Sequence, residues 1–196
     1  MASEVQICNL ALLKFGSVTI NSLTDSTPEA QACNVYYSLM RDQMLYAHTW
    51  NFAMARADIS AELSATPAFQ WDYAYQLPVD CLRVVELYGS DDTWEIEGNN
   101  LLTDLDEEIY IRYINKITTT GDFSPAFVNC LATRLAAELA AKIKGDKRLR
   151  LELLNELENV LLPEAYRLNA IEGNRPRHKD EQSIDNGNYS WQTEGR

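Results

Sequence analysis

The chain has 196 residues, of which 46% are apolar, enough to bury a core of one moderate domain and to exclude wholesale disorder. Its 17 Lys and Arg against 29 Asp and Glu give a net charge of −12, which argues against ordinary binding to nucleic-acid phosphates. The longest apolar runs span only a few residues, far short of the roughly 20 a membrane helix requires. Met1-Ala-Ser-Glu4 carries no basic leader region, so cytoplasmic synthesis is expected.

The charge is unevenly placed. Residues 51–122 hold 14 acids and 4 bases, and between Glu86 and Glu108 there are nine acids and no base. Such a block reads first as a solvated face, and otherwise as a surface that repels polyanions. The four cysteines, Cys8, Cys33, Cys81 and Cys130, form no C-x-x-C pair and read as reduced core thiols.

In chain order, Ser3 caps a first helix with Val5, Cys8, Leu12 and Phe15 at three- and four-residue steps, stopped by Gly16. Ser26-Thr-Pro-Glu29 has the capping-box pattern and opens a second helix running to about Trp50, with Cys33, Tyr36, Met40, Met44 and Ala47 on one stripe. The two are expected to pair as an antiparallel hairpin. Tyr73–Leu77 alternates as a strand ended by Pro78, Cys81–Tyr88 reads as a second, and Trp94–Glu97 with Leu101-Leu102 forms a hairpin across Gly98-Asn99-Asn100. The segment 109–114 has bulky residues on both faces and so needs partners on both. These strands predict one small, mostly antiparallel sheet.

Ser124-Pro125 starts a third helix with Phe127, Leu131, Leu135, Leu139 and Ile143 in register, broken by Gly145. Asp146 caps a fourth, with Leu154, Leu157, Leu161, Ala165 and Leu168 as its stripe and Pro163 as an expected kink. Beyond Gly173 only Ile184, Tyr189 and Trp191 are sizeable apolar groups, too few to order that segment alone. The fold class is therefore α+β and helix-dominated. A four-helix bundle-like domain (1–50 and 123–172) carries a β-rich insertion (51–122) and an extended C-terminal tail (173–196).

Catalytic signals are thin. Nucleophilic catalysis generally takes a histidine base, and only His48 and His178 exist. His48 ends the second helix, where it is placed to satisfy terminal carbonyls, and His178 lies in the tail. No glycine-rich phosphate loop is present, so neither nucleotide cofactor nor metal is expected. Glu95, Glu97, Asp104, Asp106, Glu107 and Glu108 are the acids from which a carboxylate pair for glycoside hydrolysis would have to come; an exposed face is the simpler reading. Lys142, Lys144, Lys147, Arg148 and Arg150 flank the break between the third and fourth helices. Lys142 and Lys144 fall on the last turn of the third, where cations favour its dipole; the other reading is a basic ring meeting an acidic partner or a DNA phosphate. The tail spends Tyr189, Trp191 and Arg196 far from any core. These are types enriched at binding hot spots, on a segment able to extend roughly 75 Å.

The order of these pieces resembles the podovirus head-to-tail adaptor (tail tubular protein A) family of short-tailed bacteriophages. The matching stretches are Cys8–Gly16, Ser26–Cys33, Arg41-Asp42 through Trp50-Asn-Phe-Ala53, Tyr73–Val84, Ala170-Ile-Glu-Gly173 and Ser190–Arg196. The resemblance implies a non-enzymatic virion tail component assembled in the host cytoplasm, a twelve-copy homo-oligomer ring joining a portal protein to a tail nozzle of the tubular B kind, and possible contact with tail fibres. DNA passes through such a ring without specific binding, no membrane is involved, and the acids above become candidates for its lumen or rim. Tyr189, Trp191 and Arg196 become candidates for portal docking. Some relatives are credited with peptidoglycan degradation, so a carboxylate-based hydrolase is the alternative. An acidic regulator mimicking DNA phosphate is a third reading.

Overall fold

A computed structural model describes residues 2–59, 67–106 and 108–172, which form a mixed α+β fold. Its helices are α1 (Glu4–Lys14), α2 (Pro28–Ala47), α3 (Pro125–Leu139), α4 (Lys147–Glu156) and α5 (Leu162–Ile171). Its strands are β1 (Met54–Ile59), β2 (Tyr73–Gln76), β3 (Cys81–Leu87), β4 (Trp94–Glu97), β5 (Asn100–Thr103) and β6 (Ile109–Asn115). Among the described residues no helix is long and apolar enough to cross a membrane.

The helix starts follow side-chain chemistry. Ser3 Oγ accepts from the Gln6 amide at 3.2 Å while Gln6 accepts from the Ser3 amide at 2.8 Å, a complete capping box. Ser124 Oγ and Asp146 Oδ1 cap α3 and α4. The expected box at Ser26 and Glu29 does not form: Thr27 is the cap, its Oγ1 accepting from Ala30 N at 3.2 Å with Pro28 behind it. Gly16, at φ 66°, ends α1 as expected.

α2 stops at Ala47, short of Trp50, and its buried stripe runs through Ala30, Cys33, Tyr37, Met40, Met44 and Leu45 in place of one through Tyr36 and Ala47. The chain turns at His48, and Trp50 swings back into the core with 1% of its surface exposed. Its Nε1 donates to Met44 O at 2.8 Å, satisfying a carbonyl left open at the helix end. Sequence position points to His48 for that bond; an indole held against the core supplies it instead.

α3 is the central helix, with no exposed residue after Pro125. α1 and α2 each pack on α3 much more than on one another, so they flank it and the expected hairpin is not the organising unit. A π-helical segment, Ala140–Lys144, widens the end of α3 before Gly145 at φ 68°. A second, Leu157–Leu161, joins α4 to α5 just before Pro163. Proline has no amide proton to donate, and the wider turn lets the helix pass that position with αR geometry at Leu161 and Leu162.

Two three-stranded antiparallel sheets, ordered β1–β6–β3 and β2–β5–β4, replace the single sheet expected. Gly98, at φ 60°, takes the first position of the β4–β5 loop, where a type II′ turn needs glycine. β6 has partners on both edges and both faces. Ile109, Ile111 and Tyr113 join Val84, Leu87, Tyr75, Leu77 and Leu101 in a core between the two sheets. Ile114, on the other face, joins the helical core, with Met54, Leu82 and Val85 packed against it. The β1–β6–β3 sheet is thus a middle layer between helices and the second sheet.

Candidate assembly surfaces

The sequence brackets nine acids between Glu86 and Glu108, but the fold deals them onto separate places. Glu95 and Asp104 lie at one end of the β2–β5–β4 sheet, where Glu95 Oε2 accepts from Trp71 Nε1 at 3.3 Å and Asp104 Oδ1 from the Asp72 amide at 3.1 Å. Glu97 sits at the opposite end, beside the Gly98 loop. Asp106 is in the connection to β6, and Glu107 falls outside the described residues. Glu95, Glu97, Asp104 and Glu108 are all exposed. Among the described residues no group of three His, Cys, Asp or Glu side chains converges on a metal-sized site.

Glu108 immediately precedes β6 of the other sheet. There it accepts from Tyr110 Oη at 2.6 Å and shares a hydrogen bond with Asp58 of β1. The bond to Glu108 pushes the Asp58 carboxyl up, and the bond from Tyr110 holds Glu108 down. Asp58 therefore keeps the shared proton to a higher pH than a free aspartate would. The β1–β6 register makes this pair, since Asp58 stands opposite Tyr110 and Arg56 opposite Arg112.

These side chains occupy the same sheet face as Met54 and Ile114, one or two residue pairs farther out. Where the helices cover the face it is apolar; where it runs past them it becomes polar. A groove of about 440 Å³ opens there, lined by Arg56, Asp58, Tyr88, Tyr110 and Arg112. Arg112 is paired with Glu86 at 2.7 Å.

The basic cluster at the α3–α4 elbow is mostly engaged within the chain. Lys144 Nζ donates to the carbonyls of Phe15 and Gly16, so it closes the end of α1, not only that of its own helix. Arg150 grips Glu138 with two bonds, at 2.9 and 3.2 Å, and Arg148 pairs with Glu152 at 3.0 Å. Lys142 and Lys147 have no ion pair among the described residues.

Cys8, Cys33 and Cys130 are buried and Cys81 is half-buried, all as free thiols. Burial pushes Cys81 and Cys130 up to about 11, and a hydrogen bond with Cys33 raises Cys8 further, so these three are protonated at neutral pH.

His48 is a packing residue. It stacks on Tyr166 of α5 at 4.0 Å between centroids and meets Trp50 edge-on at 4.9 Å. Asn169, which sequence reasoning did not single out, organises this corner. Its Oδ1 accepts from Asn51 N at 2.8 Å, and its Nδ2 donates to Thr49 O at 3.0 Å and faces His48 Nε2 at 3.4 Å. Burial, then the charge of Arg83, lowers the His48 pKa.

That shift has a sign. The unfolded chain takes up a proton near pH 6.5 while the folded chain resists it, so stability is full above that pH and lost as pH falls through the lower folded value. The wild-type Tm is expected to drop between about pH 7.5 and 5.5 more than that of His48→Phe, which keeps the stack without the titration. Parallel Tm profiles for the two proteins would refute this assignment.

His178, Tyr189, Trp191 and Arg196, the tail positions singled out from the sequence, lie outside the described residues. No protein-family model matches the chain, and no curated protein matches it.

Proposed function

We propose that the chain is a structural adaptor of a short-tailed bacteriophage, forming a ring between portal and tail nozzle through which DNA passes. In this reading the helical segments form a bundle-like body and 51–122 a β-rich insertion. Residues 173–196 form an extended tail that docks on the portal through Tyr189, Trp191 and Arg196. The protein then resides in the virion tail, as one of about twelve copies.

The observation that carries this reading is the segregation of charge. Acids are exposed on both small sheets, with no base between Glu86 and Glu108, whereas residues 123–172 balance at seven acids and seven bases. A polyanion is repelled by such a surface and slides past it without sticking. The stretches that resemble the adaptor family also fall largely on helices and strands. Cys8–Gly16 is most of α1 and its glycine stop, Ser26–Cys33 opens α2, and Tyr73–Val84 runs from β2 into β3.

The alternative is a carboxylate-based peptidoglycan hydrolase. Glycosidase carboxyls stand roughly 5–9.5 Å apart to admit the scissile bond or a water. Of the acids that would supply such a pair, Glu95 and Glu97 lie toward opposite ends of β4, and Glu108 precedes β6 of the other sheet.

Electron micrographs of the protein mixed with its portal test the adaptor reading. Rings seated under the portal are expected, and removal of residues 186–196 should weaken that attachment. A portal that stays bare at excess protein would sink the adaptor reading. Clearing of a cell-wall suspension by the purified protein would favour the hydrolase.

A further inference from the structure

In a chain of net charge −12, no fully exposed position of α1 or α2 is charged. The exposed side chains of α1 are Gln6, Leu10 and Leu13, spaced as one stripe. Those of α2 include Asn34, Val35, Ser38, Leu39, Gln43 and Tyr46, and no exposed position on that 20-residue helix is charged. The charges both helices do possess are withdrawn: Arg41 is buried, and Glu4, Lys14, Glu29 and Asp42 are half-buried. α4 and α5 show the ordinary alternative, outer faces that carry the Arg148–Glu152 and Arg167–Glu164 pairs in open solvent.

Both uncharged faces belong to helices that pack on α3 more than on each other. We propose that they are the two halves of a contact between copies of this chain, the α1 face of one copy against the α2 face of the next. The proposal rests on the ring reading above. Copies that each carry −12 repel one another, and close approach is cheapest where no acid meets an acid. The amide and hydroxyl groups of Gln6, Asn34, Ser38 and Gln43 both donate and accept, so these faces complement each other, whereas a charged partner would find no counter-charge. Leu10, Leu13, Val35, Leu39 and Tyr46 supply the apolar and aromatic area that interface centres favour. Because the faces differ, each contact leaves one of each kind free, so copies add into a ring where the rotation between them closes; a face that paired with itself would stop at a dimer.

Sedimentation velocity on the full chain tests this over a wide range of concentration and salt. Wild type is expected to form species larger than a dimer, and more of them as salt screens the repulsion. Leu13 and Leu39 are 61% and 50% exposed, so Leu13→Glu and Leu39→Glu should fold normally. Each is expected to weaken association by more than about tenfold, since it buries an unpaired charge in the contact. Mixed together, the two variants should form a dimer and nothing larger, because one intact α1 face meets one intact α2 face. Wild type that stays monomeric throughout, variants that assemble like wild type, or a mixture without dimer would each overturn the proposal. Variants that assemble like wild type and still seat on the portal would remove this contact and leave the adaptor reading. Wild-type rings that ignore the portal would do the reverse.

Discussion

Replacing Trp50 with alanine is expected to cost about 4 kcal/mol, among the largest losses a core side chain gives. The indole is 1% exposed and lies against Phe127 at 5.2 Å, Tyr166 at 5.6 Å and Phe52 at 6.0 Å between ring centroids. Its removal opens a cavity among α2, α3 and α5 and frees the Met44 carbonyl. For a chain of this size the Tm should fall by roughly 8–16 °C. Trp50→Phe separates the two effects: most of the ring contact stays and only the Nε1–H bond goes, at a cost of about 1–2 kcal/mol. Thermal melts of the two variants that coincide with wild type would show that this corner is not a keystone of the helical core.

The second large effect is expected at Asp42. One of its oxygens takes Arg41 Nε and Nη2, each at 2.8 Å, and the other takes Lys116 Nζ at 2.9 Å. Burial works against the carboxylate's charge, but the bonds from Arg41 and Lys116 prevail and hold its pKa below the usual range. Arg41 is 5% exposed, so Asp42→Ala strands a buried guanidinium and should cost about 3 kcal/mol. Arg41→Met combined with Asp42→Ala removes both charges and should recover most of that loss. A double variant no more stable than Asp42→Ala in urea would contradict the pairing argument. The sign of the pH effect follows: this stabilisation is present above the ordinary aspartate pKa of about 3.9 and is lost as pH falls through the lower folded value.

Much of the helical half was readable because its signals are local. Ser3, Ser124 and Asp146 cap within three residues of themselves, and Phe127 through Leu139 repeats every four. β1 was not readable. Met54-Ala-Arg-Ala-Asp-Ile59 alternates, but of its inner positions only Ile59 is large, and Ala55 and Ala57 carry little hydrophobic signal. The strand exists because β6 needs a second edge partner.

The exposed acids show the same limit. Glu95 and Glu108 are near in sequence, but one lies on β4 and the other just before β6 of the other sheet, while Asp58, far earlier in the chain, hydrogen-bonds to Glu108. That pairing depends on strand register, which no short window contains. Trp50 and His48 exchanged roles for a related reason. Either could reach the open carbonyls of α2, and the choice is made by the aromatic wall of α3 and α5, which lies far along the chain.

β6 serves two cores at once, with Ile111 and Tyr113 in one and Ile114 in the other. A tug on the outer sheet is therefore handed to the helices through one central strand gripped on both sides. Neither half can loosen without disturbing the other. A load on either core is thereby shared with the other, so strain spreads through the whole fold before any part of it gives way.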